Sequence, residues 1–295
     1  MGSNKTAFLG SVGFVLLSLM AQPGRADDSS PTPDKSHYSL LNPTPPDAMR
    51  AFAPERPTKI LNPFTVDAGH FQIESDILNY IHTNDAGLNT QFFETADPTI
   101  KLGVNSWIDF ELVLNAYQNS TTRLNRTGAI VASARGFGDT ILKSKVNLIG
   151  NDGGPFAAAL VPYVKIPSAV QGLGNGAVEG GVALPVQFSL PGDFALALQT
   201  EVDSLRDAND SRHYANFVNI ANLSRPVSFI CKDLTASIEV FSSLGTDSYT
   251  PAVYTFDVGL AYLILPNVQL DAGANFGLTK SSPDLNLYTG VTARF

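Results

Sequence analysis

The chain has 295 residues and a formal charge of −8, with 16% charged and 44% apolar residues. That composition excludes an acidic disordered chain, which needs high charge and few apolar residues. It also lacks the basic footprint that a nucleic-acid binder needs.

Residues 1–26 read as a secretory signal peptide. Lys5 supplies the positive start and Phe14-Val15-Leu16-Leu17 the centre of the apolar run. Gly24 and Ala26 put small residues at the −3 and −1 positions of a cleavage site. The run is too short to cross a bilayer as a helix, so removal after Ala26 and export is the expectation. Residues 27–66 carry eight prolines, Pro31, Pro33, Pro43, Pro45, Pro46, Pro54, Pro57 and Pro63. Proline fixes φ and removes a backbone donor, so this stretch is neither core strand nor helix. It reads as a periplasmic tail of polyproline type, or as a plug if it turns back into the domain of residues 67–295.

After residue 66 the signal is alternation, which in a strand sends successive side chains to opposite faces. In residues 69–81, Phe71, Ile73 and Ile77 alternate with His70, Gln72, Glu74 and Asp76. A short copy around Lys101 follows Pro98. In residues 107–117 the apolar set Ile108, Phe110, Leu112 and Leu114 opposes Asp109, Glu111 and Asn115. In residues 139–149, Leu142, Val146 and Leu148 oppose Asp139, Lys143, Lys145 and Asn147. Weaker copies run around Lys165, around Glu179 and Gln187, around Gln199, Glu201 and Asp203, around Glu239 and around Asp257. Residues 214–223 give the least clear pattern. Residues 268–278 alternate Val268, Leu270, Ala272 and Phe276 with Gln269, Asp271 and Asn275, and residues 285–295 close the series.

Short turns (103–106, 190–193, 265–267) separate these segments, with longer polar stretches at 82–98, 119–134 and 204–212 read as loops. About twelve strands, short turns at one end and long loops at the other, is the pattern of an all-β, transmembrane antiparallel barrel. A soluble β-sandwich would alternate equally well with its faces reversed. Phe295 favours the barrel. A terminal aromatic on an amphipathic last strand resembles the signal read by the barrel assembly machinery of the bacterial outer membrane. The expected partners are therefore that machinery, outer-membrane lipids and a small solute, with no nucleic acid. Cys231 is the only cysteine, so no internal disulfide forms. It reads as a small, buried or half-buried apolar residue.

The stretches Pro54-Glu55-Arg56-Pro57-Thr58-Lys59 and Thr65-Val66-Asp67-Ala68-Gly69-His70-Phe71-Gln72-Ile73-Glu74 resemble the opening of proteobacterial outer-membrane, transporter-like barrels of the phenol meta-pathway degradation family. Gly136-Phe137-Gly138-Asp139, Leu270-Asp271-Ala272-Gly273 and Tyr288-Thr289-Gly290 with Arg294-Phe295 resemble later segments of that family. The resemblance implies an outer-membrane barrel with a channel or uptake role. It carries no catalytic residue set.

Chemical motifs are sparse. The four histidines form no HExxH and sit near no cysteine pair, so no metal site or cofactor is expected. Gly172-Leu173-Gly174-Asn175-Gly176 lacks the Lys-Ser/Thr of a phosphate loop and reads as a hairpin loop. Asp210, Ser211 and His213 are the one local cluster a membrane lipase would use, and neighbours in sequence do not make a triad.

The inner faces hold the candidate residues. Pore-lining positions are expected at Glu74, Asp76, Asp109, Glu111, Lys143, Lys145, Lys165, Glu179, Glu201, Glu239, Asp257 and Asp271. Acids outnumber bases there, which leaves two readings open. Either water fills the lumen and the acids favour cations, or the charges are paired within a filled lumen. The expected function is a non-enzymatic outer-membrane channel or transporter for small solutes, aromatic or apolar ones among them. The alternatives are a structural or binding barrel, or an outer-membrane lipase.

Overall fold

A computed structural model describes residues 34–207, 211–247 and 249–295. The signal peptide assigned to residues 1–26, and the start of the Pro-rich segment, lie outside the described residues.

Among the described residues, fifteen strand segments form one antiparallel sheet. In chain order they are β1 Phe71–Asp85, β2 Leu88–Thr95, β3 Thr99–Gly103, β4 Ile108–Leu114 and β5 Tyr117–Leu124. Then come β6 Ile130–Gly136, β7 Thr140–Ile149, β8 Phe156–Ile166, β9 Glu179–Leu190 and β10 Phe194–Arg206. The last are β11 His213–Pro226, β12 Leu234–Gly245, β13 Val253–Leu265, β14 Val268–Gly277 and β15 Leu285–Arg294. β15 pairs back onto β1, from Gln72 opposite Arg294 to His82 opposite Leu285. This pairing closes the main wall, as lipid requires, while β6 pairs with β5 alone.

The wall counts twelve strands, because three of them are broken midway. β1 pairs with β3 near its start and with β2 near its end, so β2 and β3 are two halves of one strand. β4 and β5, and β6 and β7, continue one another in the same way. The first break falls at Ala96-Asp97-Pro98. Ala96 takes a positive φ of 53°, and Pro98 has no donor for the ladder. The register of β1 shifts at the same level, between Asp76 and Leu78.

The faces decide between barrel and sandwich. Phe110 is 56% exposed, while Asp109 and Glu111 on either side of it are 0% and 2% exposed. Phe71, Ile77, Leu142, Leu148, Leu270 and Leu287 are likewise exposed. Apolar side chains outside and charged ones inside is the arrangement a lipid-facing barrel requires.

Several sequence expectations need correction. Residues 82–98 are not a loop. β1 and β2 close over Ala86-Gly87, both at positive φ (49° and 81°), as a tight hairpin turn demands. Residues 119–134 are mostly the β5–β6 hairpin. Much of their sequence is polar at consecutive positions, as in Gln118-Asn119-Ser120-Thr121-Thr122-Arg123, so their alternation fades. Residues 214–223 belong to β11, and their pattern blurs for the opposite reason. Val218 and Ile220 face inward onto an apolar cluster with Ile60 and Ala197. Cys231 is exposed in the link between β11 and β12, not buried.

Candidate functional site

The lumen is occupied by the chain's own Pro-rich segment, whose polar groups meet the inner wall at four levels. Glu55 lies between two buried lysines, 2.7 Å from Lys101 on β3 and 2.5 Å from Lys145 on β7. Lys101 also pairs with Glu74 at 2.7 Å, and Lys145 with Glu111 at 3.4 Å. The backbone N–H groups of Glu55 and Arg56 donate to Glu74. Burial raises the Glu55 pKa, but Lys101 and Lys145 outweigh it and hold that carboxyl well below the usual range.

The Arg56 guanidinium makes a fork on Asp271, with Nη2 2.9 Å and Nε 3.2 Å from its two oxygens. It also pairs with Asp76. A planar guanidinium suits such bidentate contacts, where a lysine would not. Two wall glycines make the room. A Cβ at Gly290 would overlap this guanidinium, and one at Gly259 would fall 2.7 Å from the Pro57 ring. Tyr288 donates to the Pro57 carbonyl at 2.7 Å, and Gln269 to the Arg56 carbonyl at 2.9 Å.

At the next level Lys59 Nζ reaches Asp257 at 2.8 Å and Thr255 at 2.7 Å. The N–H groups of Lys59 and Ile60 donate to Glu239, and that of Leu61 to Gln199. The segment then leaves through Val66, whose N–H donates to Asp109 at 3.0 Å. Beyond it, Asp67 collects Lys35, Arg50 and Arg294.

Of the twelve sequence-derived candidates, Asp109 accepts from the Val66 N–H of the segment. Glu74, Asp76, Glu111, Lys145, Glu239, Asp257 and Asp271 meet the segment directly or through one shared partner. Lys165 bridges Asp139 and Glu179 at 3.0 and 2.7 Å. Glu201 accepts from Gln199, and the neighbouring Asp203 accepts from Tyr163. Lys143 lies opposite Glu111 and Tyr163 in the strand register. Arg56 and Lys59 from the segment supply the cations for Asp76, Asp271 and Asp257, and the strands alone do not contain them. Their signal in the sequence was the charged run from Glu55 to Lys59 inside the Pro-rich stretch.

The remaining clusters carry little chemistry. Asp76, Glu94 and Asp97 bring carboxylate oxygens within 4.8 Å of one another. Asp76 is already held by Arg56 and Glu94 by Gln118. His213 rests against the Val178 carbonyl at 3.0 Å, and Asp210 lies outside the described residues. His70 is not a free lumen residue. Its ring lies 2.7 Å from the Thr44 carbonyl and 3.0 Å from that of Phe295.

Residues 55–295 match the family described as "Putative MetA-pathway of phenol degradation". Among solved structures, an outer membrane channel from Pseudomonas putida F1 superposes with a TM-score of 0.57 at 11% identity, over 82% of this chain and 99% of that one. The NanC porin gives a TM-score of 0.46 at 8% identity, over 76% and 98% of the two chains. No curated protein matches by sequence. The closed wall, the apolar exterior and the first of these likenesses together make the molecule an outer-membrane β-barrel.

Proposed function

The chain belongs to the family of the "Putative MetA-pathway of phenol degradation", and we propose that it is an outer-membrane channel for small solutes, held closed by its own residues 34–66. The observation that carries this reading is the pairing of Glu55, Arg56 and Lys59 with charges on β1, β3, β7, β13 and β14. A purely structural barrel has no need of a removable segment on polar contacts, since an apolar filling of the same volume is often as stable as buried ion pairs or more so. Displacing the segment uncovers Glu74, Asp76, Glu111, Lys145, Glu239, Asp257 and Asp271 together, and with Asp109, Lys143, Lys165, Glu179 and Glu201 they line the opened pore. The family description supports an aromatic or apolar solute. The chain acts by passage, and the reading assigns it no catalytic group.

Lipids of the outer membrane cover the apolar exterior, and the assembly machinery is proposed to read the last strand at Phe295. That ring stacks on Phe71 with centroids 4.9 Å apart, where the two ends of the barrel chain meet.

Planar-bilayer conductance tests the channel. The full chain should conduct little, and a chain lacking residues 34–62 should conduct severalfold more, with heat-modifiable migration on a denaturing gel confirming that the barrel has formed. Absence of conductance from both, with folded barrels, overturns the proposal.

A further inference from the structure

Beside the Pro-rich segment lies a cavity of about 250 Å³ that the ion pairs leave open. It sits between that segment and the ends of β9–β14 nearest the short turns. The wall side chains that face it are neutral throughout, chiefly Gln187, Asn222, Ser224, Thr235 and Gln269 with Ala197 and Ala261. Gln187, Ser224 and Thr235 have no side-chain hydrogen-bond partner among the described residues. The opposite side is built from Phe52, Pro54, Pro57, Ile60 and Leu61 of the segment, with Thr58 and Asn62, whose side chains donate to carbonyls within the segment itself. Glu55 and Arg56 also touch the cavity, but both are committed to the ion pairs described above.

One side is thus mainly apolar, its polar groups being committed within the segment or to ion pairs, and the other offers neutral donors and acceptors, three of them in need of partners. A charged solute would shed its water here and find no counter-ion. A wholly apolar one would leave the hydroxyls and amide unmet. The volume lies below the range of roughly 300–1,000 Å³ taken by drug-sized ligands. It suits a single ring with one or two polar substituents.

We infer that this chamber is a binding station for a small, uncharged, amphipathic solute, one with an apolar ring-sized body and a hydroxyl-type hydrogen-bonding group. The inference rests on the channel reading for its place as a step in passage. The station faces the short-turn end and is walled by the segment itself, so the solute held there touches the element that closes the pore.

The test uses the full chain in detergent micelles and three probes of one shape, namely benzyl alcohol, benzylammonium and benzoate, with toluene as the probe without a polar group. Titration at pH 7, followed by calorimetry or ligand-observed NMR, should rank benzyl alcohol above both ions by at least about tenfold. Ala261→Phe fills the chamber and should abolish that binding. Ser224→Ala, which leaves the volume intact, should weaken it severalfold. Equal binding of a charged probe, full affinity in Ala261→Phe, or no binding of benzyl alcohol each overturns the inference. The outcomes separate the two proposals. Conductance of the shortened chain without a preference for the neutral probe removes the station and leaves the channel. Selective binding without conductance in either chain removes the channel and leaves the ligand class.

Discussion

The two sides of the lumen hold the Pro-rich segment by different means. On the arc from β12 through β15 and β1 to β7, buried charges from wall and segment interlock, and two wall glycines are hollowed to receive Arg56 and Pro57. On the arc from β8 to β11 the contact is mostly apolar, with one hydrogen bond from the Leu61 N–H to Gln199. Ala157, Ala159, Val161, Ala183 and Ala197 line it, Ile60 packs on Val218 and Ile220, and the rest is open cavity. The first arc fixes position, because ion pairs of this geometry are satisfied in one placement only. The second leaves space. A barrel that needed only to be filled would show the same packing on both sides.

The largest break in that comparison is Arg56→Met. It leaves Asp76 and Asp271 buried without their cation, and removing one partner of a buried pair costs about 3–5 kcal/mol. The segment should undock, which cleavage of residues 50–62 by added protease and a severalfold rise in conductance would both report. A variant that stays protected and closed shows that the charged arc does not hold the segment. Gly290→Leu attacks the same contact by volume, since any side chain there overlaps the guanidinium. It should release the segment with a smaller gain in conductance, because the new side chain occupies part of the pore that it opens.

Acid probes the arc more gently. The docked Glu55 carboxyl is held below its ordinary value of 4.5 by Lys101 and Lys145, once the opposing effect of burial is overcome. A depressed pKa contributes stability that is fully present above the undocked value and is lost as pH falls through the docked one. Glu74 and Glu111 share the same lysines, and Lys143 adds its charge from a distance. The contribution of Glu55 should therefore persist at pH 4.5 and fade only in stronger acid. Glu55→Gln should remove that share of the acid dependence, measured as a flatter curve of protease protection against pH. An identical curve in the variant would show that Glu55 does not anchor the segment.

How much of this was legible in the sequence divides along the same line. The wall was legible because lipid and lumen impose opposite polarity on neighbouring residues, so Asp109, Phe110 and Glu111 declare their faces by themselves. It was lost where that contrast ends. In the extensions of β1–β2 and β5–β6 polar residues follow one another without alternation, and β11 is apolar on both faces at Val218 and Ile220. The inner residues were found by alternation, but their partners were not. Arg56 lies 215 residues from Asp271 in the chain, and no local periodicity links them. The Pro-rich composition showed only that residues 27–66 form no core element, which fits a tail as well as a plug. The cations that meet Asp76, Asp257 and Asp271 come from the segment and lie outside the alternating strands.

The smallest expected effect lies in the neutral chamber, which reaches from the open arc onto β12–β14, and it sharpens the comparison most. Thr235 points into the chamber with no side-chain partner among the described residues. Thr235→Ala removes a hydroxyl without breaking a bond, and substitutions away from such bonds usually change stability by no more than about 0.5 kcal/mol. Thermal unfolding, protease protection and conductance of the unliganded chain should all match those of the unaltered protein, in contrast to Arg56→Met. A loss above about 1 kcal/mol would mean that the hydroxyl belongs to the scaffold, because a buried hydrogen bond is worth about that much. The chamber wall would then be a second clamp on the segment, and the chamber would have no claim to be on the route of a solute.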